Sequence, residues 1–134
     1  MSKTLEITVY TAKSFQCSVS SIISLLKKAG WCITDCNGKV TVWNDAYSKW
    51  EYFKGSLEDF SNNNTSSWFY AYNDLQIIKV CINNNSFCII PEAYIPTITC
   101  DNEEFFDYNW YYEHLIVPFN KGRTVIERIV FDEY

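Results

Sequence analysis

Residues 75–95 read LQIIKVCINNNSFCIIPEAYI, and this stretch decides which type of fold the sequence predicts. Two runs rich in β-branched residues, 75–83 and 87–95, flank a short polar tip of Asn and Ser. Such a pattern is typical of an antiparallel hairpin, because Asn and Ser favour turns over regular structure. With a loop at residues 83–86, Cys81 lies opposite Cys88, as a packed pair or one that bridges under oxidation. Pro91 and Pro96 favour a place at the edge of the sheet.

The same pattern predicts strands on both sides of this hairpin. Apolar residues alternate with polar ones at 3–11, and Asn37-Gly38 predicts a second hairpin within 31–45 because both turn residues must take positive φ. Further strands are expected at 49–55, at 67–73, and in a last hairpin made of 114–119 and 123–134.

One segment has helical spacing. Residues 18–29 place apolar side chains at Val19, Ile22, Ile23, Leu26 and Ala29, with Gly30 where a helix would stop. Residues 56–60 predict a single helical turn that Ser56 opens, and the Asn- and Ser-rich residues 61–67 predict a loop.

These elements predict one α+β domain over residues 1–134. We expect a predominantly antiparallel, curved sheet or half-barrel of about seven or eight strands. The amphipathic helix 18–29 should pack on it, with a second short helix near 102–112. A hydrophobic content of 48% and an aromatic content of 18% exclude a disordered chain.

The start of the chain and its cysteines bear on the compartment. Residues 1–10 lack the pattern of a secretory signal, and the sequence has no apolar run long enough to cross a membrane, so we expect a cytoplasmic protein. In a reducing compartment the six cysteines should be buried thiols. Their spacing and the lone His114 do not fit a zinc site, and we expect no metal or cofactor.

The charge is concentrated in one place. Acidic and basic residues balance over 1–100 and over 121–134, so the formal charge of −5 falls on residues 101–120. Residues 101–113, DNEEFFDYNWYYE, hold five carboxylates and six aromatic rings without Lys or Arg.

Two interpretations of this segment compete. Asp101 and Glu104 resemble a capping box, in which case 102–113 form a helix that packs Phe106 and Trp110 on the sheet. The rings, however, cover nearly all directions around a helix and both faces of a strand, so some should be exposed.

Exposed Tyr and Trp beside carboxylates favour recognition of a basic protein, because these rings often become binding hot spots and the charges steer the partner. We therefore predict a partner-binding surface at Asp101, Glu103, Glu104, Asp107, Tyr108, Trp110 and Glu113. No catalytic motif occurs, and His114 is expected to be a partly buried structural residue, so we expect no enzyme. Aromatic runs at 50–53 and 68–72 could stack bases, but Lys and Arg do not cluster, which argues against nucleic-acid binding.

In size, acidity and lack of an active site, the chain resembles the small immunity proteins of bacterial toxin systems. This resemblance implies a protein that binds the toxin domain, often a basic nuclease, and blocks it. Two alternatives stay open: a phage-type acidic inhibitor that imitates nucleic acid, and a small-ligand-binding or accessory-subunit domain.

Overall fold

A computed structural model describes residues 3–62, 68–74, 76–121 and 125–134. Seven strands form one antiparallel sheet: β1 (Leu5–Thr11), β2 (Thr41–Asn44), β3 (Lys49–Tyr52), β4 (Phe69–Tyr72), β5 (Ile77–Ile82), β6 (Ser86–Ala93) and β9 (Ile126–Glu133). Their order across the sheet is β3-β2-β4-β5-β6-β1-β9, and the sheet is curved without closing into a barrel. Strands β7 (Thr97–Cys100) and β8 (Glu103–Phe106) form a separate two-stranded sheet.

The helices lie on one face of the large sheet. They are α1 (Val19–Lys28), α2 (Leu57–Ser61) and α3 (Tyr108–Tyr111), which continues through a π-helical segment (Tyr112–Ile116) into α4 (Val117–Phe119). We call residues 108–119 the C-terminal helical segment. The α+β class with a curved antiparallel sheet is confirmed, with nine strands among the described residues.

The core forms where the alternating strand residues meet the apolar stripes of the helices. Leu5, Ile7 and Val9 of β1 are buried while their neighbours are only partly covered, as a strand with one buried face requires. Phe119 packs against Phe87 with ring centroids 5.8 Å apart, which fixes the end of the C-terminal helical segment to β6.

Local signals account for most of the boundaries. The Ser18 side chain accepts a hydrogen bond from the Ser21 amide and opens α1, and Gly30 follows its end with a φ of 87°. Ser56 and Asp59 form a capping box at α2. Cys81 pairs directly with Cys88, as the hairpin of 75–95 predicted. Part of the predicted loop 61–67 lies outside the described residues.

The predicted hairpin within 31–45 is wrong. A turn does form, because the Asp35 side chain accepts hydrogen bonds from the amides of Asn37 and Lys39. Beyond the hydrogen bond from the Asp35 amide to the Lys39 carbonyl, no strand pairing extends from it: Cys32 makes an isolated bridge to Tyr72, and β2 pairs with β3 and β4 instead.

Two other predicted placements are also wrong. Strand β6 lies inside the sheet, between β5 and β1, although it contains Pro91. Pro91 is tolerated because it lies beyond the residues of β6 that pair with β1 and next to an irregularity in the β5 register. Residues 114–119 are helical rather than a strand, and β9 pairs with β1.

Candidate functional site

The acidic segment (residues 101–113) begins inside a hairpin of residues 97–106, which we call the acidic arm. Asp101 and Asn102 form its two-residue turn with φ angles of 51° and 66°, the positive values that a type I′ turn needs. Asp and Asn tolerate these angles better than other side chains that carry a Cβ. Asp101 is therefore a turn residue, and the expected capping box with Glu104 does not form, since Glu104 lies in β8.

The arm exposes an apolar pair among its acids. Ile98 and Phe105 are cross-strand partners, and their side chains are 51% and 45% exposed. Cys100 and Glu103 form the next pair on the same face of the hairpin, while Glu104 pairs with Thr99 on the opposite face. Carboxylates therefore stand on both faces of the arm, beside an apolar cross-strand pair on one of them.

The foot of the arm is closed by Pro96 and Asp107, the residues that flank it. The Asp107 amide donates a hydrogen bond to the Pro96 carbonyl over 3.0 Å. The Asp107 carboxylate accepts a hydrogen bond from the Trp110 amide over 3.1 Å and so caps α3. The helix near 102–112 is thus present but begins at Tyr108, after the arm.

Tyr108 connects this helix to the edge strand β9. Its ring stacks on Phe131 with centroids 4.7 Å apart, and its hydroxyl donates a hydrogen bond of 2.6 Å to Glu133. That hydrogen bond raises the pKa of Tyr108 to about 12, because the carboxylate favours the protonated phenol. Tyr108 keeps 38% of its surface exposed, so its hydroxyl is engaged while much of the ring borders solvent.

The two remaining predicted residues, Trp110 and Glu113, follow along the helix beside Tyr111 and His114, which were not among them. Tyr111 is buried in the core, and burial raises its pKa. Trp110 is half-buried: it stacks on His114 with centroids 4.2 Å apart and meets Tyr111 edge to face. Glu113 is exposed and accepts a hydrogen bond from the Asn109 side chain over 3.1 Å. The expectation that His114 is partly buried is wrong, since it lies exposed on the helix.

The structure therefore divides the seven predicted residues into two groups. Asp101, Glu103 and Glu104 come together on the arm, whereas the remaining four lie on or directly before the C-terminal helical segment. Sequence reasoning left out Ile98, Phe105, Tyr94 and Tyr112, all of which are exposed. The signal for the first two was the Asp101-Asn102 dipeptide between two short runs of strand-forming residues.

A cleft lies at the foot of the arm. It has a volume of about 620 Å³, and its walls include Asp74, Gln76, Tyr94, Pro96 and Trp110. Gln76 is buried and donates a hydrogen bond of 3.2 Å to the Tyr94 carbonyl, which ties β5 to the end of β6. Tyr94 has a φ of 56° and a side chain that is 79% exposed. An aromatic residue rarely takes this backbone conformation.

The second face of the large sheet, which we call the open face, is not covered by the described helices. Its aromatic side chains contact one another: Trp50 stacks on Tyr70 with centroids 4.1 Å apart, and Trp43 meets Trp50 edge to face. One face of each stacked ring is thus already occupied within the protein.

The cysteines are more accessible than expected. None of the six forms a disulfide, Cys32, Cys36 and Cys100 are exposed, and the other three are half-buried. The expectation of buried thiols is wrong: Cys36 lies in a turn, Cys100 on the arm, and Cys81 and Cys88 on the open face. Across the described ranges, no three His, Cys, Asp or Glu side chains converge as a metal site would require.

Comparisons with known protein families, with curated proteins and with solved structures find no match to this chain. In the part of the chain that the structure describes, no helix has both the length and the apolar character needed to cross a membrane. Function is therefore inferred from the geometry and charge of the surface itself.

Proposed function

We propose that this chain is a non-catalytic binding protein whose acidic arm docks a basic protein partner. The observation that carries this proposal is the exposed pair of Ile98 and Phe105 beside the arm's carboxylates. A two-stranded hairpin outside the main sheet gains little stability by itself, and exposing apolar side chains there adds none. A partner that covers the pair would gain the hydrophobic contribution that folding leaves unused.

The charges suit a basic partner in particular. Asp101, Glu103 and Glu104 are all exposed, and they lie within four residues of one another around a turn. Charges this close act together, since the Debye length at physiological salt is about 8 Å. They would steer a positively charged surface toward the arm before the apolar contacts form.

The remaining predicted residues have different parts in this proposal. Asp107 and Tyr108 hold the helix start in place, and Glu113 extends the negative surface along the helix. Trp110 reaches the cleft at the foot of the arm. The arm supplies the steering charge, and the helix supplies a fixed support behind it.

The most specific form of the proposal is an immunity protein that binds and neutralises a cognate bacterial toxin domain of the basic nuclease type. The resemblance in size and acidity supports this form, which takes the protein to act in the cytoplasm, where such a toxin would act. The nuclease barnase and its inhibitor barstar illustrate how complementary charge accelerates association in a pair of this kind.

The test is to co-express the chain with the product of the neighbouring gene, carried as an inactive toxin domain. We expect the two proteins to co-purify, and hydrogen exchange of residues 97–106 to slow in the complex. Formation of a complex that leaves exchange in the arm unchanged would remove the arm from the interface. Failure of the two proteins to associate would count against the immunity assignment.

A further inference from the structure

The cleft at the foot of the acidic arm has the chemistry of a site for one cationic side chain. Two aromatic residues, a proline and a carboxylate belong to its walls, and none of its described lining residues is basic. Aromatic rings attract cations through their negative faces, and a planar guanidinium can stack on a ring while it donates hydrogen bonds to a carboxylate.

We infer that this cleft receives an arginine side chain of the basic partner, with the guanidinium against Tyr94 and Trp110 and within reach of Asp74. The inference rests on the proposed function, because it takes the partner to be a basic polypeptide. Arginine fits better than lysine, since its flat head can use both the rings and the carboxylate, and its apolar stem can lie along Pro96.

The cleft is built to keep its shape. The buried Gln76 side chain donates to the Tyr94 carbonyl and accepts from Asn73 over 3.1 Å, so the two walls are tied together. Trp110 is held by its stack on His114 and by the capped start of α3. A side chain that is already ordered loses less conformational entropy when a ligand binds.

Tyr94 gives the second reason to expect a ligand. It combines a positive φ with an exposure of 79%, and this backbone conformation costs stability in the free protein. The strained backbone fixes where the Tyr94 ring lies, and a bound cation would contact the ring in that position.

The position of the cleft connects it to the arm. Pro96 belongs to the cleft wall and also accepts the hydrogen bond from Asp107 that closes the arm. A basic chain drawn to the acids of the arm would therefore arrive beside the cleft. Arginine residues seated in such pockets are frequent hot spots of protein interfaces.

The probe is the peptide acetyl-Gly-Gly-Arg-Gly-Gly-amide, compared with the same peptide carrying citrulline, a neutral isostere of arginine. The indole N–H signal of Trp110 is followed by NMR during titration with each peptide. We expect the arginine peptide to bind with a millimolar dissociation constant and to shift the Trp110 signal. The citrulline peptide should bind at least about tenfold more weakly. Equal effects of the two peptides, or an unmoved Trp110 signal, would overturn the inference.

Two cleft variants and one matched control complete the test. Asp74→Asn removes the charge, and Tyr94→Asn removes the ring while keeping a residue that tolerates positive φ. Tyr47→Asn is the control, because Tyr47 is 74% exposed but lies between β2 and β3. Arginine-peptide binding should weaken in both cleft variants and stay unchanged in the control; cleft variants that bind like the wild type would overturn the inference.

The failures of the two proposals can be told apart with the protein partner. If neutralising the arm weakens the complex while Asp74→Asn and Tyr94→Asn leave it intact, the cleft inference fails and the proposed function stands. If the arginine peptide binds in the cleft but neutralising the arm changes nothing, the arm proposal fails instead.

Discussion

Asp107 offers a direct test of whether a carboxylate in the acidic segment stabilises the fold. Its side chain accepts a hydrogen bond from the Trp110 amide at the start of α3, over 3.1 Å. Replacing such an N-cap by alanine costs about 1 kcal/mol, and loss of the favourable interaction with the helix dipole adds about 0.3–1 kcal/mol. The first turn cannot fray freely, because Tyr111 is buried there.

We therefore expect Asp107→Ala to lower the free energy of unfolding by about 1–2 kcal/mol. Asp107→Asn keeps an acceptor oxygen, so its loss should be below about 1 kcal/mol. The control is Glu103→Gln, on the exposed surface of the arm, which should stay within about 0.5 kcal/mol of wild type. Urea unfolding followed by circular dichroism measures all three, and the alanine variant should melt roughly 3–8 °C lower.

Two results would refute this reasoning. If Asp107→Ala is as stable as Glu103→Gln, the cap contributes nothing. If Asp107→Asn is as unstable as Asp107→Ala, the charge matters and the hydrogen bond does not. If both expectations are met, Asp107→Asn becomes the appropriate variant for measuring this charge in partner binding.

Three further predictions concern thiols, alkaline pH and the core. Iodoacetamide should alkylate Cys32 before Cys17, which mass spectrometry of partly labelled protein would show. The reason is that a hydrogen bond with Thr34 lowers the pKa of exposed Cys32, whereas burial raises the pKa of Cys17 to about 11. Equal rates would contradict this order. Tyr108→Phe should lower the free energy of unfolding by about 0.5 kcal/mol at pH 8, because the exposed hydroxyl loses Glu133. The pKa of Tyr108 in the folded protein is raised from 10.0 to about 12. The stability that the hydroxyl contributes is therefore complete below pH 10 and should disappear as the pH rises to 12. A stability difference between Tyr108→Phe and the wild type that persists at pH 12 would exclude the hydrogen bond as its source. Leu115→Ala should lower the free energy of unfolding in urea by about 2–5 kcal/mol, because Leu115 is fully buried. Val117→Ala, at an exposed position of the same helical segment, should lower it by less than about 1 kcal/mol. Similar losses in the two variants would contradict this placement.

Local signals in the sequence predicted much of the fold. Strand β1 alternates residue by residue, and α1 combines a serine cap, an apolar stripe and a terminal glycine. The pairing of Cys81 with Cys88 followed from the loop length alone. Each of these features depends on residues close together in the chain, which is why sequence patterns capture them.

The wrong predictions about the fold concern pairing partners and one element's type, which tertiary structure decides. The Asn37-Gly38 turn forms, but β2 gains more by pairing with β3 and β4, because this joins it to the large sheet and its core. Residues 114–119 contain β-branched and aromatic side chains but lie in a helix that buries Leu115, Ile116 and Phe119. Burial outweighs the local preference for a strand in that segment.

The candidate site was predicted in composition but not in geometry. The sequence indicated where the charge lies, and all of Asp101, Glu103 and Glu104 are exposed. It did not show that a hairpin precedes the helix, because Glu103 and Glu104 are unfavourable in strands and suit the first turn of a helix. The cleft could not be predicted, since its walls come from three separate parts of the chain.

The central claim is that the acidic arm docks a basic protein, and one measurement tests it most directly. The association rate constant with the neighbouring gene's product is compared at low and at physiological ionic strength. The arm variant is Asp101→Asn, Glu103→Gln, Glu104→Gln. The control variant, Glu58→Gln, Glu127→Gln, Asp132→Asn, removes the same charge from α2 and β9.

We predict that the arm variant associates about tenfold more slowly at low salt and loses most of the salt dependence, whereas the control stays close to wild type. Equal rates and equal salt dependence for the arm variant and the wild type would contradict the claim.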